Sequence, residues 1–311
     1  MKPPVLATGP FPATPMDELE RNFTVHKLWQ ASDPDRLVKS LGPLEAMTTS
    51  SFCGADRALI EALPNLKIIA NFGVGYDSVD VAAAKERGIV ITNTPDVLTE
   101  DVADMAIALL LASTRRIVEG DRYVRAGEWL NAALPLGRSL GGKLCGILGL
   151  GRIGLAIARR LEAFNARVVY SGPREKPGIA YRFYPNLVDM ARDCDFLILS
   201  CPGGAATRHL VKADVLRALG PKGTLVNVAR GTVVDEVALV AALQAGELGH
   251  ASLDVFDDEP RVPEALFTMD NVVVQPHQAS ATIETRAAMA RLVLENLQAF
   301  FAGKPLVTPV P

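Results

Sequence analysis

Three short segments carry side chains whose chemistries complement one another: Asn227-Val228-Ala229-Arg230-Gly231, Asp254-Val255-Phe256-Asp257-Asp258-Glu259-Pro260 and Gln275-Pro276-His277-Gln278-Ala279. A guanidinium clamps a carboxylate and polarises a carbonyl. An imidazole gives a proton to an oxygen and takes it back near neutral pH. A carboxylate beside the imidazole favours its protonated form and fixes its orientation. Arg230, Glu259 and His277 are therefore the candidate catalytic set. Singly, each has a plain alternative: a surface arginine in a turn, a solvated loop glutamate, a structural histidine. Their joint placement, each in a loop after an expected strand, favours chemistry. His26 and His250 lack that context and read as structural, and His209 reads as surface or local packing.

The elements that must position this set are legible as apolar runs. Leu144–Leu148, Arg167–Tyr170, Phe196–Ser200, Thr224–Val228, Ala251–Asp254 and Val272–Gln275 read as six strands, most separated by helical stretches. This is the pattern of a doubly wound dinucleotide domain, which binds ligands at the carboxyl ends of its strands. Gly149-Leu150-Gly151-Arg152-Ile153-Gly154 follows the first strand and precedes a helical stretch, Leu155 to Phe164. A GxGxxG so placed fits a dinucleotide pyrophosphate. The first glycine allows a tight turn, the second lets backbone approach the phosphates, and the third lets helix and sheet pack closely.

Upstream, Val5–Ala7, Val25–Leu28, Leu66–Ala70 and Val90–Thr92 read as strands of a smaller parallel α/β domain. A long helical pattern covers roughly Glu100 to Glu119, and a polar stretch runs on to Gly142. A last helical stretch, about Thr282 to Ala302, has no strand after it in the second domain and is expected to pack on the first. The expected division is 1–98 plus 285–311 for a substrate domain, and 99–284 for the dinucleotide domain.

The second strand of the dinucleotide domain ends at Tyr170 and is followed by Ser171-Gly172-Pro173-Arg174-Glu175-Lys176. An acidic residue at this tip holds the ribose hydroxyls of NAD and repels a 2′-phosphate. Ser171 is neutral, and Arg174 offers a charge-assisted contact to phosphate. The loop therefore reads as NADP-preferring. Glu175 leaves a ribose contact open.

The 311 residues are enough for two domains with their own cores, and 49% hydrophobic with 22% charged residues is ordinary for a globular chain. A net charge of −3 gives no electrostatic reason to expect nucleic acid or an anionic membrane. The N-terminus shows no secretory pattern, and no apolar run reaches a membrane-spanning length. Cys53, Cys145, Cys194 and Cys201 lack metal-binding spacing, and the four histidines form no ligand cluster. A cytoplasmic protein with reduced, buried thiols and no metal is expected.

Taken together, Asn71-Phe72-Gly73-Val74-Gly75-Tyr76-Asp77, the Gly149–Gly154 turn, Asn227–Gly231, Leu253–Phe256 through Glu259-Pro260, and Pro276-His277 resemble the D-isomer-specific 2-hydroxyacid dehydrogenases, over essentially the whole chain. Within them the chain is most similar to the NADPH-dependent glyoxylate/hydroxypyruvate and hydroxyphenylpyruvate reductases. That resemblance implies two α/β domains with a cleft between them: a Rossmann dinucleotide domain and a smaller flavodoxin-like substrate domain. It implies hydride transfer between NADPH and a small 2-keto acid, with Arg230 on the substrate, His277 as acid/base and Glu259 as its partner. Val74 and Gly75 are implied as N–H donors to the substrate carboxylate. The implied cofactor contacts are Thr99, Leu150, Gly151, Arg152, Ile153, Ser171, Gly172, Pro173, Arg174, Cys201, Pro202, Val228, Ala229, Arg230, Asp254, His277 and Ala279. Asp254 is aimed at the nicotinamide carboxamide or its ribose. The resemblance further implies a homodimer formed through the dinucleotide domain, with Glu100–Gly142 supplying much of the contact and Trp129 as a candidate anchor. Two other functions remain open here: an aryl-pyruvate reductase and a dinucleotide-sensing regulator.

Overall fold

Short apolar runs joined through helices pair in parallel, because the crossover returns each strand in the same direction. The computed structural model describes residues 2–11 and 13–310 and contains two all-parallel sheets. The chain divides into two units, residues 1–98 with 281–311 and residues 99–280.

The first unit holds β1 (Pro4–Ala7), β2 (Thr24–Lys27), β3 (Ala46–Ser50), β4 (Ile68–Phe72) and β5 (Val90–Thr92), in the order β2-β1-β3-β4-β5. This is the flavodoxin-like order. Parallel sheets are covered on both faces, and Val5, Leu6, Ala46, Met47, Ile68 and Ile69 are fully buried. The helix Ile283–Phe301 belongs to this unit: Phe301 packs on Phe23 with ring centroids 5.7 Å apart, and Gln298 Nε2 donates to Asn22 at 3.0 Å.

β3 is a strand that the sequence reading did not include. Its sequence, Ala-Met-Thr-Thr-Ser, looks like a loop, yet all five residues are buried. The hydroxyls make this possible by finding partners. Thr48 Oγ1 donates to Ala70 O at 2.9 Å, Thr49 Oγ1 to Gly54 O at 2.6 Å, and Thr8 and Thr49 share a bond of 2.7 Å. A buried hydroxyl with a partner avoids the desolvation penalty that would otherwise exclude it.

The second unit holds β6 (Leu144–Leu148), β7 (Arg167–Ser171), β8 (Arg182–Phe183), β9 (Phe196–Leu199), β10 (Thr224–Asn227), β11 (His250–Leu253) and β12 (Val272–Val274). Their order, β12-β11-β10-β9-β6-β7-β8, is the Rossmann order with one edge strand beyond the six expected. That extra strand, β8, is two residues long and pairs with β7 through Val169↔Arg182 and Tyr170↔Phe183. The order reverses between β6 and β9, which places the crevice directly over the Gly149 turn.

The long helix expected over Glu100–Glu119 is two helices, Thr99–Thr114 and Ile117–Arg125. Arg116 between them takes a left-handed φ of +54°. A returning segment explains the break. Arg138 N donates to Thr114 O at 2.7 Å, and the backbone of Gly137 presses against Thr114 and Arg115 so closely that a Cβ there would sit 2.7 Å from Thr114 O. The thiols also differ from expectation. Cys145, Cys194 and Cys201 are buried, and burial pushes them up to about 12, 12 and 11, but Cys53 is exposed.

Candidate active site

At the end of β6 the chain makes a turn whose glycines are dictated by contact. Gly149 has a φ of +95°, and a Cβ there would meet the Cys201 backbone at 2.6 Å. A Cβ on Gly154 would sit 2.3 Å from Gly149 O, while one on Gly151 would meet nothing within 4 Å. The turn is therefore tight on its inner side and open where Gly151 faces out. It leads into the helix Arg152–Ala163, which no side chain caps. The first N–H groups of such a helix need an acceptor, and the helix dipole favours an anion there. Backbone, shape and field all fit a dinucleotide pyrophosphate.

Beyond β7, Ser171 is buried and its carbonyl accepts from Gly149 N at 2.9 Å, which ties this loop to the glycine turn. Pro173 and Arg174 are exposed, and Arg174 has no ion-pair partner among the described residues. Cys201, Pro202, Val228 and Ala229 follow β9 and β10 at the same edge of the sheet, and Thr99 opens its helix half-buried.

The loop after β10 is shaped by Asn227. Its Oδ1 accepts from Ala229 N at 3.0 Å and its Nδ2 donates to Arg230 O at 2.9 Å. Gly231 then packs on the Phe256–Asp257 peptide so tightly that a Cβ would overlap it, 1.8 Å from Phe256 C. The Arg230 loop and the Glu259 loop are thus fitted to each other through backbone.

Glu259 is held at both carboxylate oxygens. Phe256 N donates to Oε1 at 3.0 Å, and Oε2 lies 2.7 Å from His277 Nδ1. The structure thus brings together two members of the candidate set from loops eighteen residues apart. His277 takes a left-handed φ of +53°, and its N–H donates to Asp254 O at 2.8 Å. Left-handed backbone at a non-glycine residue is a strained arrangement that clusters at functional sites.

Asp254 directly follows β11 and is tied to the loop that carries His277. It is fully enclosed, and its two oxygens accept from Gln278 N at 2.7 Å and Ala279 N at 3.0 Å. Burial raises its carboxyl above the ordinary range against those two donors. Its carboxylate holds the turn that carries His277. Glu236 was not singled out in the sequence. Its Oε1 accepts from Asp257 N at 2.9 Å, and burial raises its carboxyl as well.

In the first unit, the turn after β4 is organised by side-chain amides. Asn71 Nδ2 donates to Gly73 O at 3.1 Å and Gly75 O at 3.0 Å, and Asn93 Nδ2 donates to Val74 O at 2.9 Å. All three carbonyls are tied back. The N–H groups of Val74 and Gly75 have no acceptor among the described residues. Successive open N–H groups form a concavity suited to an anion. Asn71 and Asn93 were not singled out in the sequence, since nothing local shows that they reach these carbonyls.

The sequence pattern of the NAD binding domain of D-isomer specific 2-hydroxyacid dehydrogenases matches residues 107–279. The chain is 48% identical over 307 residues to glyoxylate/hydroxypyruvate reductase A of Arabidopsis thaliana, covering 98% of each. It is 49% identical to hydroxyphenylpyruvate reductase of Plectranthus scutellarioides, covering 94% of each. The structure of an NADPH-dependent glyoxylate/hydroxypyruvate reductase from Sinorhizobium meliloti, in complex with NADP and malonate, superposes with a TM-score of 0.92 at 45% identity, covering 100% of this chain and 97% of that one. The chain belongs to the D-isomer-specific 2-hydroxyacid dehydrogenases. It is an oxidoreductase with a dinucleotide-binding domain. No helix among the described residues is long and apolar enough to cross a membrane.

Proposed function

Given that membership, we propose that this enzyme reduces small 2-keto acids, glyoxylate and hydroxypyruvate, to D-2-hydroxy acids with NADPH in the cytoplasm. The observation that carries the reading is the 2.7 Å contact between His277 Nδ1 and Glu259 Oε2, with Glu259 itself anchored by Phe256 N. When bound, NADPH supplies the hydride. Glu259 holds Nδ1 and so orients the imidazole. His277 then delivers a proton from its opposite nitrogen, Nε2, to the carbonyl oxygen of the substrate and recovers one in the reverse reaction. Arg230 pairs with the carboxylate and polarises the carbonyl. Val74 and Gly75 are assigned to the carboxylate because their N–H groups are open. The turn from Gly149 to Gly154, with Leu150, Arg152 and Ile153, takes the pyrophosphate. Ser171, Gly172, Pro173 and Arg174 take the 2′-phosphate. Cys201 and Pro202 line the adenine side.

The test is steady-state turnover of glyoxylate, hydroxypyruvate, phenylpyruvate and hydroxyphenylpyruvate, each with NADPH and with NADH. Fast turnover of the small acids with NADPH is expected. A preference for aromatic acids would move the substrate to aryl-pyruvates, a reading favoured by the 49% identity to a hydroxyphenylpyruvate reductase. In either case His277→Ala lowers turnover by about 10²–10⁴-fold while cofactor affinity stays. Retained turnover would remove His277 from its role.

We further propose a homodimer formed through the second unit. Val124, Trp129, Leu130 and Leu136 all expose apolar side chains, Leu130 at 91% and Leu136 at 95%. Apolar surface of this kind, concentrated in one segment, is what an obligate interface covers. Sedimentation velocity at micromolar concentration is expected to give twice the 33.2 kDa chain mass.

A further inference from the structure

Tyr170 is the penultimate residue of β7, and the whole residue is 1% exposed. β8 locks it in place: its ring lies 5.3 Å from the Phe183 ring, and its carbonyl accepts from Tyr184 N at 2.8 Å. The hydroxyl of this fixed ring accepts from Lys176 N at 2.8 Å. From Gly172 to Gly178 this is the only hydrogen bond among the described residues. The loop therefore runs out from the strand end through Gly172, Pro173, Arg174 and Glu175, and is brought back to the sheet at one point. Gly172 adds no restraint of its own, since a Cβ there would meet nothing within 4 Å. Of the two partners, the buried ring cannot move and the exposed loop can, so the hydroxyl sets where the loop sits.

We propose that Tyr170 is a positioning residue for cofactor choice: its hydroxyl, by holding Lys176 N, confines Arg174 to the place where it meets a 2′-phosphate. The proposal rests on the reading of Ser171–Arg174 as the 2′-phosphate site. A guanidinium on an untethered loop must be ordered when it binds, and that ordering subtracts from affinity. A loop already closed onto the sheet has lost most of that freedom beforehand. NADH lacks the phosphate that Arg174 would grip, so its affinity does not depend on the tether. The contribution is therefore selective, which a general packing role for Tyr170 would not produce.

The experiment is calorimetric titration of the full-length protein with NADPH and, separately, NADH. Wild type is compared with Tyr170→Phe, which removes only the hydroxyl, and with Arg174→Ala. Tyr170→Phe is expected to raise the NADPH dissociation constant between about two- and tenfold, the worth of one hydrogen bond, and to leave that of NADH unchanged. A second route removes the same bond from the loop side. Lys176→Pro deletes the donor and is expected to match Tyr170→Phe, while Lys176→Ala keeps the N–H and serves as the control for the lost charge. If Arg174→Ala weakens NADPH selectively but neither Tyr170→Phe nor Lys176→Pro does, the tether is irrelevant and the inference falls while the 2′-phosphate site stands. Equal weakening of both dinucleotides by Tyr170→Phe overturns it as well. If Arg174→Ala does not discriminate between the dinucleotides, the site reading itself fails and the inference goes with it.

Discussion

The turn after β6 and the turn after β4 both present backbone N–H groups at the carboxyl end of a parallel sheet, but they are built in opposite ways. From Gly149 to Gly154 the shape comes from missing atoms. A Cβ on Gly154 would stand 2.3 Å from Gly149 O, so contact alone demands glycine. At Gly73–Gly75 the nearest atom to a Cβ on Gly73 would be 3.6 Å away, and the shape comes instead from the Asn71 amide bridging two carbonyls. One turn is a packing solution and the other a hydrogen-bonding solution. A packing turn fails when an atom is added, and a hydrogen-bonded turn fails when one is removed.

Gly154→Ala should be the most damaging test of this contrast. The added methyl drives the helix Arg152–Ala163 off the sheet, at a cost of about 1–3 kcal/mol of stability. Displacing the pyrophosphate donors should lower turnover by about 10²-fold or more. Thermal unfolding with NADPH titration checks both. Asn71→Ala should leave NADPH affinity intact and raise the KM for the keto acid about tenfold, since two carbonyl tethers are lost. A rise in the NADPH dissociation constant instead would mean that the two turns are not separable. Gly73→Ala should be milder than Gly154→Ala. Space is available there, but a φ of +152° suits only glycine, so a stability loss of about 1–2 kcal/mol with modest kinetic change is expected from denaturant unfolding.

The smallest effect is expected at Glu236, where the hydrogen bond from Asp257 N supports the fold and the buried charge works against it. Burial raises its carboxyl in the folded chain above the ordinary value of 4.5. The folded state therefore binds the proton more tightly than the unfolded state, and the charged form costs stability above the folded value. Glu236→Gln keeps an acceptor and removes that cost. The variant should melt slightly higher than wild type at neutral pH, with the gain fading as pH falls through the raised value toward 4.5. A gain that persists in acid would locate its origin elsewhere.

What the sequence shows of all this depends on whether the determining contacts are local. The Gly149–Gly154 turn is contiguous, and its spacing states its own geometry. Arg230, Glu259 and His277 are legible because each follows a recognisable apolar strand. Asn71, Asn227 and Glu236 are not, since an amide or carboxyl looks the same whether it faces water or bridges a distant backbone. β3 is hidden for a related reason: three hydroxyl residues in five read as a loop until the acceptors of Thr48 and Thr49, the carbonyls of Ala70 and Gly54, are known. β8 is too short to carry a pattern. The break at Arg116 is set by Gly137 and Arg138, about twenty residues later, and leaves no mark in the helical periodicity.

The distribution of thiols has a practical consequence. Cys53 lies in the first unit and is exposed, whereas Cys145, Cys194 and Cys201 all lie in the second unit and are buried. A native chain should take up one equivalent of a maleimide at once and the other three only as the second unit opens. The slow phase of alkylation is thus a clock for that unit alone, and a dye on Cys53 marks the first unit without engineering a single cysteine.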